Sequence, residues 1–162
     1  MKTEVMKRLC IVILCFAFFS AIPGRIQADD DLTLTNLRTD YKTNPLGIDE
    51  RNPRLSWEII SSKRGTRQTA CELHFAQSEK KLMQGSDLIW QKKVNSDQSV
   101  QVVYLGPLLH SRQRIYWRAR IWDNHGRVSQ WSKPAYWEMG LLNESDWQAD
   151  WIEADIKEEL HL

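Results

Sequence analysis

The chain has 162 residues, of which 42% are hydrophobic and 27% are charged, and its formal net charge is +1. This composition is ordinary for one globular domain, and so balanced a charge argues against a nucleic acid as the partner. The length allows one hydrophobic core but no large catalytic barrel.

The first 28 residues have the order of a secretory signal. Lys2, Lys7 and Arg8 precede an apolar run over residues 9–22, and a small residue, Ala28, stands at the expected cleavage position. The run is shorter than the roughly 20 apolar residues that a membrane helix needs. We therefore expect a signal-peptide helix, export to the periplasm or the extracellular space, and no retained membrane span. A retained membrane anchor is the alternative.

Cleavage after Ala28 leaves 18 basic and 20 acidic residues and, of three cysteines, only Cys71. A single cysteine forms no internal disulfide, so the stability of the domain must come from its core. The histidines have no metal-ligand spacing with Cys71 or with one another, and no nucleophile motif or phosphate-binding loop occurs. The sequence therefore predicts no catalytic residue, no metal site and no cofactor.

The mature chain consists of short segments in which apolar and polar residues alternate, separated by turn-forming residues. Such a pattern predicts an all-β, antiparallel, seven-stranded sandwich over residues 29–142. No helix is expected before the last dozen residues, and residues 143–162 are predicted to be a linker and the start of a following β-sandwich module. The predicted strands are residues 32–37, 54–60, 69–78, 87–94, 99–105, 114–123 and 135–139.

The segment of residues 115–132 carries the most specific local pattern. An aromatic residue is followed by Arg118-Ala-Arg120, a Gly-containing turn and Trp131-Ser. This order resembles the F strand, FG turn and G strand of fibronectin type III and immunoglobulin-like domains. We expect Arg118 and Arg120 on the outer face of the sheet, where their guanidinium groups stack on Trp131 or Trp122.

Two tryptophans on inward-facing positions, Trp57 and Trp117, are predicted to lie in the core. Trp57 stands where this fold usually has its core tryptophan. The sequence departs from the pattern at the start of the F strand, where the fold often has an inward tyrosine. Ile115 holds that position, and Tyr116 is out of phase by one residue. A tyrosine corner is therefore in doubt.

Longer strings extend the resemblance over nearly the whole mature chain, from residue 32 to about residue 154. Their order and spacing resemble the N-terminal domain of bacterial α-L-rhamnosidases of glycoside hydrolase family 78. The strings are Asn44-Pro-Leu-Gly-Ile-Asp49, Pro53-Arg-Leu-Ser-Trp57, Gly65-Thr-Arg-Gln-Thr-Ala70, Ser111-Arg-Gln-Arg114, Tyr116-Trp-Arg118, Trp131-Ser-Lys-Pro134 and Glu138-Met-Gly-Leu-Leu142.

The resemblance implies a non-catalytic structural or docking module. In that family the domain precedes further β-sandwich modules and an (α/α)6 barrel that hydrolyses terminal α-L-rhamnose by an inverting route. None of the barrel is in this sequence, so we expect a chain truncated before it. The implied partners are the neighbouring domains of the parent glycosidase.

Two other functions are open. Flat aromatic side chains form the platforms of carbohydrate-binding modules, and Trp90, Trp122 and Trp137 are the tryptophans of the sandwich not otherwise assigned. A binding module built on them would take a rhamnose-containing polysaccharide. A free adhesion or receptor-like domain is the third hypothesis.

The domain boundary gives a testable prediction. Deletion of residues 143–162 should leave a sandwich that unfolds in one cooperative transition in urea, because those residues are assigned to the next module. Loss of the cooperative transition, followed by circular dichroism and tryptophan fluorescence, would place the boundary elsewhere.

Overall fold

Seven strands form in the computed structural model, which describes residues 31–150 and residue 152. They make a three-stranded sheet in the order β1-β2-β5 and a four-stranded sheet in the order β4-β3-β6-β7. Every pairing between these strands is antiparallel, so the predicted all-β sandwich is confirmed. The predicted leader, residues 1–28, lies outside the described residues. The strands are β1 (Leu32–Thr39), β2 (Arg54–Ser61), β3 (Gln68–Ala76), β4 (Trp90–Val94), β5 (Val102–Val103), β6 (Arg114–Asp123) and β7 (Ala135–Glu138).

Two strands are shorter than their sequence patterns predicted. The fifth covers only two of the predicted residues 99–105, because Gln101 has a φ of 57° and interrupts the extended backbone. The Ser99 carbonyl still accepts a hydrogen bond from the Trp57 N–H at 3.0 Å. The fourth strand begins at Trp90 rather than at Asp87, whose φ is 49°.

A short helix, α1 (Glu79–Gln84), was missed by the prediction. The Ser78 hydroxyl caps its first turn by accepting from the Lys81 N–H, and Gly85 ends it with a φ of 65°. Leu82 is its one buried side chain. Six residues are too few to show helical periodicity, so only the capping Ser and Gly residues indicate the helix in the sequence.

The core lies between the two sheets and is centred on β6. Four inward side chains of this strand are completely buried: Ile115, Trp117, Ala119 and Ile121. Trp57 of β2 meets Trp117 from the opposite sheet, with ring centroids 6.4 Å apart. A second group of rings, spaced by 5.2 to 6.2 Å, fills the other half of the core. Its members are Phe75, Trp90, Tyr104 and Trp137.

Asp123 and Arg127 close the turn after β6 and tie it to the opposite sheet. The buried Asp123 carboxylate accepts hydrogen bonds from the Arg127 backbone N–H (2.9 Å) and guanidinium (2.8 Å). Burial alone would raise the pKa of Asp123, but these hydrogen bonds hold it below its ordinary value. Arg127 also donates to Ser61 Oγ at the end of β2, at 2.9 Å. Gly126, with a φ of 76°, provides the left-handed residue that the turn requires.

Within the described residues, no helix has both the length and the apolar character needed to cross a membrane.

Gln68 is a buried polar bridge between the sheets, with 3% of its surface exposed. Its Oε1 accepts from Trp57 Nε1 at 3.0 Å, and its Nε2 donates to the carbonyls of Ser96 and Gln98 at 2.9 and 2.8 Å. One side chain therefore joins β3, β2 and the loop after β4.

We predict that Gln68→Ala lowers the free energy of unfolding by about 2 kcal/mol, because it leaves a buried indole N–H without its acceptor. The matched control is Gln91→Ala on the exposed side of β4, which should change it by less than about 0.5 kcal/mol. Urea unfolding measures both. Equal effects of the two substitutions would contradict the bridging role.

Candidate interaction surface

A ladder of cationic and aromatic side chains covers the outer face of the four-stranded sheet. It starts from the outward positions of β6, where Arg118, Arg120 and Trp122 follow one another at every second residue. Because β3 pairs with β6, Glu72 stands opposite Arg120, and His74 stands opposite Arg118. We call Glu72, His74, Arg118, Arg120 and Trp131 the cation–aromatic ladder.

Two serines hold Trp131 against β6 although its segment is not a regular strand. The Ser129 N–H donates to the Ile121 carbonyl (2.9 Å), and the Ile121 N–H donates back to Ser129 Oγ (3.0 Å). Ser132 repeats this exchange with Ala119, at 2.8 and 3.1 Å. Each hydroxyl replaces a backbone carbonyl, so β6 keeps its hydrogen bonds and Trp131 is fixed over the sheet.

Three side chains pack on the Trp131 ring. The guanidinium carbons of Arg118 and Arg120 lie 4.4 and 4.7 Å from its centroid, and the His74 ring centroid lies 4.3 Å away. Contacts of this kind contribute roughly 0.5–2 kcal/mol each, depending on how far water is excluded. The structure therefore places Trp131 as the partner of both arginines, while Trp122 contacts Arg120 at 5.2 Å.

Arg118 is on the outer face, as expected, but only 7% of it is exposed. Trp131 covers it from one direction and α1 from another, where Nη1 lies 3.5 Å from the Met83 carbonyl. Its Nε has no hydrogen-bond partner among the described residues. Burial, followed by the nearby charge of Arg120, lowers the pKa of Arg118, yet a guanidinium stays protonated at any physiological pH.

Glu72 is the carboxylate of the ladder. Its Oε2 accepts from two nitrogens of Arg120, Nε at 2.8 Å and Nη2 at 2.7 Å, and both hydrogen bonds are charge-assisted. Its Oε1 lies 3.1 Å from His74 Nε2, which donates because a carboxylate only accepts. Burial would raise the pKa of Glu72, but the Arg120 and His74 contacts outweigh it and lower the pKa.

His74 is held in its neutral form despite its contact with a carboxylate. Such a contact normally raises a histidine pKa, and Glu72 acts in that direction. Burial acts more strongly against the charged ring, and the charges of Arg118 and Arg120 add to it, so the pKa of His74 is lowered. The buried Nδ1 also has no partner among the described residues, so a proton there would lack an acceptor.

The three tryptophans proposed as sugar platforms occupy different environments. Trp137 is completely buried in the core, so no ligand reaches its ring, and its assignment to a platform was wrong. It faces the core because β7 (Ala135–Glu138) directs Ala135 and Trp137 inward. Trp90 is half-buried and stacks on Phe75 at 5.2 Å. Trp122 is partly exposed and borders a shallow concavity of about 490 Å³ with Thr69, Lys93 and Asn95.

Lys93 lies over the ring of Trp122. Its Nζ lies 3.9 Å from the ring centroid, close enough for a strong cation–π contact. A saccharide that stacked on Trp122 would have to displace this ammonium group. The other concavity near the ladder, a groove of about 530 Å³, runs between β1 and residues 130–135 and has Trp131 and Ile60 in its wall.

Among the described residues, no group of three or more potential ligands is arranged to hold a metal ion. Cys71 is buried, and burial raises its pKa, so its thiol is poorly suited to act as a nucleophile. Trp57 and Trp117, predicted to be core residues, are 3% and 0% exposed.

The prediction missed Glu72 and His74 as ladder members, as well as the pairing of Ser129 and Ser132 with β6. Their positions opposite Arg120 and Arg118 depend on the β3–β6 register. That register is a property of the folded sheet, and the alternation within each strand does not specify it.

The lowered pKa of His74 predicts a pH dependence of stability. The unfolded chain binds a proton near pH 6.5, the ordinary histidine value, whereas the folded chain binds it only at lower pH. The free energy of unfolding should therefore fall as the pH is lowered from 7.5 to 5, and His74→Gln should flatten this fall. Unfolding in urea at several pH values measures how the free energy of unfolding of each protein changes with pH. The difference between the two proteins at pH 8 is the reference. An unchanged slope in the variant would contradict the neutral state of His74.

The chain was compared with known proteins. Residues 34–143 match the family described as Rha78A-like, N-terminal immunoglobulin domain. An α-L-rhamnosidase of Streptomyces avermitilis is 43% identical over 124 residues, which cover 76% of this chain and 12% of that protein. An α-L-rhamnosidase of Formosa agariphila is 35% identical over 160 residues, which cover 96% of this chain and 17% of that protein.

Solved structures show the same relationship. The Streptomyces avermitilis α-L-rhamnosidase complexed with L-rhamnose superposes with a TM-score of 0.71, covering 76% of this chain and 12% of that one at 43% identity. The Dictyoglumus thermophilum α-L-rhamnosidase gives a TM-score of 0.70 at 31% identity, covering 75% and 14%.

This chain spans about 12% of the Streptomyces avermitilis enzyme. The match is to an immunoglobulin domain without the catalytic domain, so the matched residues are non-catalytic. The predicted resemblance is confirmed: the chain belongs to the family of Rha78A-like N-terminal immunoglobulin domains.

Proposed function

We propose that this domain serves as a structural docking module at the N-terminal end of an exported α-L-rhamnosidase. The observation that carries the proposal is the match of residues 34–143 to the family's N-terminal immunoglobulin domain, together with the small share of each relative that is covered. The remaining domains of such an enzyme are its partners. They contribute the hydrolysis of terminal α-L-rhamnose, and this domain contributes a rigid packing surface.

The internal organisation of the domain supports this role. Two ion pairs hold outward charges of the sheet in place: Glu72 binds Arg120 within the ladder, and Arg114 pairs with Glu138 beside it, each at 2.7 Å. The four-stranded sheet is therefore stiffened on both faces, by the core on one side and by the ladder on the other. A module of this kind can support a neighbour without reshaping on contact.

A carbohydrate-binding module is the second candidate, favoured by the partly exposed Trp122 and its concavity with Thr69, Lys93 and Asn95. Amide, hydroxyl and aromatic groups around a shallow depression suit a saccharide. The ligand in this case is a rhamnose-containing polysaccharide that displaces Lys93 from the indole ring.

We predict that the isolated chain releases no rhamnose from an aryl α-L-rhamnoside, because the matched residues are a non-catalytic immunoglobulin domain. The Streptomyces avermitilis enzyme serves as the positive control in the same assay. Turnover above a mock preparation would contradict the docking role as the domain's whole contribution.

Tryptophan fluorescence during titration with a rhamnose-containing polysaccharide separates the two candidates. The docking role predicts an unchanged spectrum at millimolar sugar. A saturable change that Trp122→Ala abolishes, and that the control Trp147→Ala retains, would favour the binding module.

A further inference from the structure

The end of the sandwich at which the chain leaves β7 is built from three segments that lie side by side. Ile48 donates to the Glu138 carbonyl at 3.1 Å, and Gly140 donates to the Ile48 carbonyl at 2.7 Å. On the other side, Met139 donates to the Gln113 carbonyl at 2.9 Å, and Arg112 donates to the Gly140 carbonyl at 3.1 Å. We call these segments, residues 45–52, 106–113 and 139–147, the exit pole.

The chain leaves the exit pole along a fixed path rather than through a loose linker. The Ser111 hydroxyl donates to the Asp146 carboxylate and accepts from the Leu142 N–H at 2.9 Å. Asp146 also accepts from the Asn143 N–H at 3.0 Å, and this closes a 3-10 turn over Glu144–Asp146. The hydrogen bond from Ser111 lowers the pKa of Asp146, as expected for a carboxylate that serves as a fixed acceptor.

Large apolar side chains point into solvent from each segment of the exit pole. Leu46 is 62% exposed, Leu108 is 67% exposed and Trp147 is 55% exposed. Leu46 and Leu108 stand on loops that the backbone hydrogen bonds hold beside the chain exit, which makes these loops a candidate contact surface. The hydrogen-bonded segments hold these side chains outward, so they do not fold back onto the core.

We propose that the exit pole is the surface on which the domain directly following in the longer family members docks, with Leu46 and Leu108 as its apolar contacts. The proposal rests on the docking role above and names its surface and its occupant. The Streptomyces avermitilis relative is about eight times as long as the region that matches, and the family description places the match at the N-terminus. The rest of such a chain therefore continues from this pole.

A covalently attached partner needs few contacts to stay docked. Covalent attachment raises the effective concentration of the neighbouring domain, so a small apolar surface can hold it where a free partner would dissociate. The fixed exit path lowers the entropy that docking loses, because the orientation of the following segment is already restricted.

The test uses the full-length Streptomyces avermitilis enzyme in which residues 31–150 of this chain replace the matching segment. The variant is Leu46→Ser with Leu108→Ser. The control is Ile60→Ser with Val100→Ser, which removes apolar side chains that are 55% and 53% exposed on other parts of the surface. Both pairs are also made in the isolated 162-residue chain, where each should leave the unfolding midpoint unchanged.

The measurement is limited proteolysis at the junction after this domain, combined with calorimetry. We expect cleavage to become about tenfold faster in the exit-pole variant, a loss of the size that one or two partly buried leucines provide, and to stay unchanged in the control. If the unsubstituted hybrid is docked but the junction is cleaved equally fast in the variant and the control, the exit pole is not the docking surface.

Two further outcomes are distinguishable. If the unsubstituted hybrid unfolds in two independent transitions, with this domain melting as it does alone, the docking role itself fails. If the isolated chain sediments as a dimer that Leu46→Ser with Leu108→Ser converts to monomer, the occupant of the exit pole is a second copy and the proposal is overturned.

Discussion

One face of strand β6 lies in the apolar core, and its other face carries charged, partly exposed side chains. The rest of the structure depends on stabilising both faces of this strand. Its inward residues, from Ile115 to Ile121, fill the space between the sheets. Its outward arginines stand beside each other on the opposite face. Two neighbouring guanidinium groups repel, and an adjacent carboxylate together with an aromatic face offsets that repulsion. The carboxylate of Glu72 and the ring of Trp131 do this.

The ladder therefore forms a second packed cluster, made of charged and aromatic side chains on the outer face of the sheet. Trp131 covers Arg118, and the hydrogen bonds of Ser129 and Ser132 with the β6 backbone hold Trp131 in this position. The same burial depresses the pKa of His74, because a third positive charge beside Arg118 and Arg120 would be poorly solvated. The ladder and the core together support the four-stranded sheet on both of its faces.

Rigidity links the fold to the role proposed for it. The hydrogen bonds at Gly140 and Asp146 extend the order of β7 beyond the last strand. Leu46 and Leu108 are exposed on the loops beside the chain exit. Exposed apolar side chains at that place suit the proposed contact with a neighbouring domain.

The sequence by itself determined the all-β class, the inward set of β6 and the family, because alternation and ordered strings are local and need no knowledge of partners. It also placed Arg118 on the outer face. Only the tertiary structure decided that Trp137 is buried, that β5 is reduced to two residues and that Glu72 meets Arg120. These depend on strand register and on which sheet covers which face. Those are long-range relations that the period within a strand leaves open.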